Sequence, residues 1–280
     1  MQWTGFILVG GLLGAGSSLY VQANEIHPLE IPKSIARITE TSAQQVTQLP
    51  DIILIQDIHK HPEAQRHIAE VIERFHAAWG IQSVYLEGAF SDVTPVGCQE
   101  GESSMEGGHL TGAEWAACQI GSDLHLYGLE DPTLYRLNLI AYHQARRAQE
   151  IGLKEWLPNE QLQSLLSLRM TPSSYALFEQ QKNAVENVSW LHNAGIEAAE
   201  RFYELALARN NVFIDRLVNS LITGPKIVVL GGFHTADLLE KLRQHQKSYV
   251  VLSPTVTYAA DPDLYAKRLD ESISTLLVRN

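Results

Sequence analysis

Five short runs of apolar, largely β-branched residues constrain this chain more than any other feature. They are Asp51-Ile-Ile-Leu-Ile-Gln56, Ser83-Val-Tyr-Leu-Glu87, Leu124-His-Leu-Tyr-Gly128, Lys226-Ile-Val-Val-Leu230 and Ser248-Tyr-Val-Val-Leu-Ser253. A strand that is apolar at nearly every position is buried on both faces, which is the condition of a strand inside a parallel sheet. Helical periods lie between the runs. Ala64, Ile68, Val71, Ile72, Phe75, Ala78 and Trp79 recur at helical spacing, and Pro62 suits the first turn of that helix. Another helix is expected from about Thr235 to Gln244, and a closing one over 261–278. Pro132 to about Ile222 reads as a block of helices with breaks near Pro158, Thr171-Pro172 and Asn193 to Gly195. The segment Ala89 to Ser122 is polar and glycine-rich and reads as a long loop. This order predicts an α/β fold, a mainly parallel sheet flanked by helices, with the helical insertion at about 132–222 forming a cap. A single domain is expected over 24–280.

The N-terminus has a different character. No charged side chain precedes Glu25, and Trp3 to Tyr20 is apolar, shorter than the ~20 residues of a spanning helix. Val21-Gln22-Ala23 offers an export peptidase a cut before Asn24, so residues 1–23 read as a signal peptide. An uncleaved anchor and a buried helix are the other readings, and membrane contact is expected only through this segment. Export places the protein in the periplasm or outside the cell. In that oxidising setting Cys98 and Cys118 either pair across the loop between them or stand as two separate thiols.

The balance of 21 Lys and Arg against 32 Asp and Glu gives a net charge of -11. Such a surface repels nucleic acid and anionic membranes. The chain carries no phosphate loop, no Gly-x-Gly-x-x-Gly after a strand, no His-Glu-x-x-His and no Gly-x-Ser-x-Gly elbow. A hydrolase built on it would therefore activate water.

Sites in parallel sheets form beyond the carboxyl ends of strands. Here four strand ends are polar: Gln56-Asp57-Ile58-His59-Lys60-His61, Glu87-Gly88, Leu129-Glu130-Asp131, and Gly231-Gly232-Phe233-His234-Thr235. Carboxylates and imidazoles gathered on one rim serve as general base and acid or as metal ligands. Each also has a plainer role as helix cap or ion-pair partner. For His61 the plainer reading is solvated or structural, and Glu130 with Asp131 would suit the helix starting at Pro132. His109 lies in the long loop, where its location is all that suggests a ligand.

These residues resemble a superfamily that groups erythromycin esterases, ChaN-type haem-binding lipoproteins, TraB-type proteins and TIKI metalloproteases, and the chain looks close to an exported bacterial branch of it. The family's first strand ends in a Gly-Glu-x-His-like motif, matched here by Gln56-Asp57-Ile58-His59 followed by His61-Pro62. Leu86-Glu87-Gly88, Arg209-Asn210 and Gly231-Gly232-Phe233-His234 match its later motifs in order. Gln56-Asp57 stands where the family has Gly-Glu, which shortens the carboxylate by one methylene, and no lipid-attachment cysteine is present.

The resemblance implies an exported hydrolase, an esterase or a peptidase. Asp57, His59 and Glu87 would bind or deprotonate water, His234 would be a second base, and Arg209 would neutralise charge on the substrate or oxyanion. His61, Glu130 and Asn210 would contact substrate or ligand. With a divalent metal (Mn, Co or Zn), His59, Glu87 and His234 would be its ligands. The second reading is a haem- or metal-binding protein without turnover, with a His or a Tyr on the iron; Tyr127, Tyr135 and Tyr249 sit in or just after expected strands, where packing in the core is their plainer role. The third is a scaffold for protein interaction. The ligand is correspondingly a small molecule, a peptide or haem.

Overall fold

A computed structural model describes residues 30–42, 49–96, 98–100, 110–152, 160–181 and 190–258. The N-terminal segment, His109 and the helix expected over 261–278 lie outside them. Among the described residues no helix is long and apolar enough to cross a membrane.

Seven strands form one sheet: β1 (Ala36–Thr41), β2 (Ile52–Asp57), β3 (Ser83–Leu86), β4 (Asp92–Val93), β5 (His125–Gly128), β6 (Lys226–Gly231) and β7 (Tyr249–Pro254), in the order β1-β7-β2-β6-β3-β5-β4. The five inner strands are parallel, and the edge strands β1 and β4 run antiparallel to their neighbours. The fold is therefore the expected α/β class. The five apolar runs are the five parallel strands. The strands outside that pattern are the exposed ones: β1 is buried only at Ala36, and β4 has two residues.

Alternation along β2 sorts the core. Ile53 and Ile55 face a layer made by α1 (Pro62–Trp79) and α2 (Gly112–Ile120), with Ile68, Ile72, Phe75 and Ala116. Ile52 and Leu54 face the opposite layer, where Phe213, Ile214 and Leu217 of α6 (Trp190–Val218) join Leu238 and Leu242 of α7 (Gly232–Gln244). The period of two puts successive residues on opposite faces, so both faces need an apolar side chain.

The insertion consists of α3 (Pro132–Gly152), α4 (Glu160–Leu166), α5 (Pro172–Gln181) and the first half of α6. It has its own core of Tyr142, Leu165, Phe178, Phe202 and Tyr203. Because α6 serves both this core and the sheet, it is a strut ~44 Å long joining the two. The break expected at Asn193 to Gly195 does not occur, because α6 runs through it. A Cβ at Gly195 would lie 3.0 Å from the Ala148 Cβ and 3.2 Å from Leu166, so the glycine serves close helix packing. The loop expected over Ala89 to Ser122 is also corrected. It contains β4 and α2, and α2 opens with a capping box between Thr111 and Glu114. The Thr-Gly-Ala-Glu pattern carried that signal. Cys98 and Cys118 are joined, Cα to Cα 5.5 Å, tying the segment after β4 to α2.

Gly128, at the end of β5, lets two backbone segments meet. A Cβ there would lie 2.3 Å from the Ala89 carbonyl carbon and oxygen. Gly128 N–H donates to the Ser91 carbonyl and Glu130 N–H to the Ala89 carbonyl. Gly128→Ala is therefore expected to cost about 1–3 kcal/mol by overpacking, read as a lower denaturant midpoint. An unchanged midpoint would mean that this crossing is not tight.

Candidate functional site

The carboxyl ends of β2, β6 and β3, the three central strands, deliver the site. The pairing sets Asp57 beside Gly231 and Leu86 beside Val229. Asp57, His59, Glu87, Gly231 and His234 thereby line one cavity of about 240 Å³. The cap closes the other side with Phe202, Tyr203 and the turn Leu168–Met170.

His59 Nδ1 is 2.5 Å from Asp57 Oδ2. A carboxylate only accepts, so Nδ1 carries the proton. Asp57 is held in turn by Gln65, whose Nε2 donates to Oδ1 at 2.6 Å, while its Oε1 accepts the Gly112 N–H at 2.7 Å. The first turn of α1 and the start of α2 thus orient the Asp57–His59 pair. His59 Nε2 lies over Gly231: a Cβ on that glycine would be 3.1 Å from Nε2 and 3.2 Å from Glu87 Oε2. A side chain there would press both groups aside by a few tenths of an ångström.

Glu87 is the centre of the polar network. Its Oε2 accepts the Gly231 N–H at 2.6 Å, and its Oε1 accepts from Arg209 at 3.0 Å. His234 Nε2 is 3.3 Å from the same Oε1. Burial pushes the Glu87 carboxyl up, but His234, Arg209 and His59 outweigh it and hold the group well below its ordinary value of 4.5. The other nitrogen of His234 faces Asn210 Oδ1 at 2.7 Å. Asn210 Nδ2 donates to Asp237 at 2.8 Å, so its oxygen is the acceptor and His234 Nδ1 holds a proton.

Behind Glu87, Arg209 is 2% exposed and Glu130 0%. Arg209 forks onto both Glu130 oxygens, at 3.0 and 2.5 Å, and donates to Asn138 Oδ1 at 3.1 Å. Its charge is committed to two carboxylates, which corrects the expectation that it meets the substrate. It positions Glu87 instead. Glu130 and Asn210 are likewise fully buried and do not line the cavity, so the roles they have are structural. His61 is corrected in the same way. It is neither solvated nor at the cavity. Its Nδ1 accepts the Ala64 N–H to cap α1, its Nε2 donates to the Tyr258 carbonyl, and its ring stacks on Tyr258.

Gln65, Asn138 and Asp237 were missed from the sequence. Gln65 had a signal, being polar at a position between Ala64 and Ile68 on the buried side of α1. Asp237 had one too, three residues after His234 on the same helix. Asn138 had none.

The same geometry tests a metal at His59, Glu87 and His234. Among the described residues no group of three His, Cys, Asp or Glu side chains is placed to hold an ion. Glu87 Oε1 is already taken up by Arg209 and His234, and Oε2 by the Gly231 N–H, so its charge is largely spent within the protein. Haem fits no better. The cavity is smaller than the roughly 300–1,000 Å³ of ordinary drug-sized sites, and Tyr127, Tyr135 and Tyr249 do not line it.

The chain matches no protein-family model, no curated protein and no solved structure.

Two outcomes are expected. Arg209→Met leaves two buried carboxylates facing each other and costs about 3–5 kcal/mol, measured by chemical denaturation. Glu87 has a native pKa below its unfolded value, so its contribution is full above about 4.5 and is lost as pH falls toward the native pKa. Glu87→Gln should therefore flatten the acid limb of the stability–pH curve below that value. An acid limb as steep as the wild type's would contradict this assignment.

Proposed function

We propose that the chain is an exported hydrolase that activates water at His59, akin to the esterase branch of the superfamily it resembles. The observation that carries this is the Asp57–His59 pair on the cavity wall, held from behind by Gln65. An imidazole whose Nδ1 proton is fixed by a carboxylate is oriented to take a proton at Nε2. Water bound at Nε2 would lose its proton to His59 and attack a carbonyl carbon. His59 would then return that proton to the leaving alkoxide or amine. Glu87 faces Nε2 across Gly231 and stabilises the imidazolium that forms between these steps. His234, tied to Asn210 and set against Glu87, keeps that carboxylate ionised.

The oxyanion has a place as well. Helix α7 begins at Gly232, and its N-cap, Gly231, has no side chain to cover the first amides. Gly232 and Phe233 line the cavity at that positive helix end, which favours negative charge developing there. The bonded Cys98–Cys118 pair supports an oxidising compartment, in keeping with the signal-like N-terminus.

The test is a panel of para-nitrophenyl esters and the matching anilides. His59→Ala and Asp57→Asn should each lower kcat by about a hundred- to ten-thousand-fold. Wild-type turnover that survives in His59→Ala would end this reading.

A further inference from the structure

On the basis of the hydrolytic reading above, we propose that Arg169 selects substrates carrying an anionic group at the end remote from the scissile bond. The site would therefore take half-esters or half-amides of dicarboxylic acids, or acyl compounds of like charge.

Three observations carry this. First, among the described residues lining the cavity Arg169 is the one Lys or Arg, and it is exposed, whereas Asp57, His59, Glu87 and His234 are each less than a tenth exposed at the inner end. Second, the cavity is polarised. Its buried part carries the carboxylates of Asp57 and Glu87, the second paired with Arg209, and its exposed part carries the Arg169 guanidinium. An anion placed inward meets carboxylates, and one placed outward meets a guanidinium that can bind it through two parallel bonds. The field thus favours one polarity of substrate and one direction of entry. Apolar Leu168, Met170, Phe202 and Phe233 line the same cavity and suit a hydrocarbon spacer.

Third, Arg169 is not carried on a loose loop. Helix α4 ends in a Schellman turn: the Arg169 N–H donates to the Ser164 carbonyl, and the Leu168 N–H to that of Leu165. Leu168 occupies the left-handed position at φ 56°, where glycine is usual. The next amide, of Met170, donates to the buried Tyr203 hydroxyl at 2.9 Å. Three consecutive amides are therefore fixed, and an unfavourable conformation is kept where the chain meets the cavity. Backbone of that kind gathers at ligand sites.

The experiment compares mono-para-nitrophenyl esters of succinic, glutaric and adipic acid with para-nitrophenyl alkanoates of equal chain length. Wild type should prefer the anionic member of at least one pair. In Arg169→Gln that ratio of kcat/KM should fall about tenfold or more, mainly through KM, as a lost charge-assisted pair requires. In Arg169→Glu the preference should pass to the ester of ε-aminocaproic acid. Binding of the free alkanoates butyrate, pentanoate and hexanoate, whose single carboxylate can face outward, is read by calorimetry in parallel, because it needs no turnover. An alkanoate that binds wild type and is weakened about tenfold in Arg169→Gln supports the assignment even if no ester is cleaved, in which case the hydrolytic reading alone fails. Hydrolysis by wild type with an unchanged ratio in Arg169→Gln overturns the role of Arg169 and leaves the catalysis standing. Equal binding in wild type and variant, or none in wild type, overturns it as well.

Discussion

One buried arginine decides how the parts of this molecule meet. Arg209 comes from the middle of the strut helix α6 and reaches carboxylates that follow two different strands, Glu87 after β3 and Glu130 after β5. It also takes Asn138 from α3. Cap and sheet are thus joined by a charge that none of its partners can release cheaply. Removing ions from water costs several kcal/mol each, and their mutual attraction repays this only when nearly every donor and acceptor is used. Here Glu130 Oε1 accepts the Gly88 N–H as well as Arg209, and the Arg209 guanidinium lies 5.4 Å from the centre of the Tyr135 ring and 5.6 Å from that of Phe213. A hydrophobic trio of similar volume could be as stable. It would not fix the direction in which Glu87 points, and that direction is what the cavity needs.

The neighbouring residue continues the argument on another side of the helix. Consecutive helical positions are separated by about 100°, so Arg209 and Asn210 serve different partners. Arg209 sets Glu87 from behind, and Asn210, steadied by Asp237, sets His234 from the side. One turn of α6 therefore orients both a carboxylate and an imidazole of the cavity. The Arg-Asn pair picked out in the sequence is a positioning element and not a substrate clamp. Its residues are polar because they must carry direction through an apolar interior, and they are buried for the same reason.

The sheet was legible because parallel strands declare themselves as unbroken apolar runs. The polar strand ends were legible because sites in parallel sheets form beyond the carboxyl ends of strands, although a carboxylate there can equally be an ion-pair partner, as Glu130 is. Chemistry-bearing residues that follow no such run were harder. Gln65 and Asn138 are neutral amides on helices, and their roles depend on what lies across a tertiary contact. His61 resembled a site residue because His61-Pro62 continues the motif that holds His59, but the chain reverses at Lys60, φ 57°, and sends His61 into the cap of α1. Helix α2 was hidden because its segment is rich in glycine, whose low helix propensity is offset here by the capping box and by packing on α1. Edge strand β1 was hidden because, apart from Ile38, its exposed positions carry polar residues and give no apolar pattern.

The backbone explains why an aspartate suits position 57. Asp57 is the last residue of β2 and His59 lies two positions on, where an extended chain returns its side chain to the same face. The turn then closes at once, with the His61 N–H donating to the Ile58 carbonyl at 3.1 Å. Over so short a span an aspartate reaches Nδ1 directly, and its second oxygen stays within reach of Gln65. A glutamate at the same Cα would carry its oxygens a methylene further, past the ring nitrogen and into the space taken by Gln65. Gln56, freed from lining the cavity, hydrogen-bonds Ser253 of β7 and fastens β2 to its neighbour. Successive residues at this strand end therefore divide the work: Asp57 holds the histidine, and Gln56 joins the sheet.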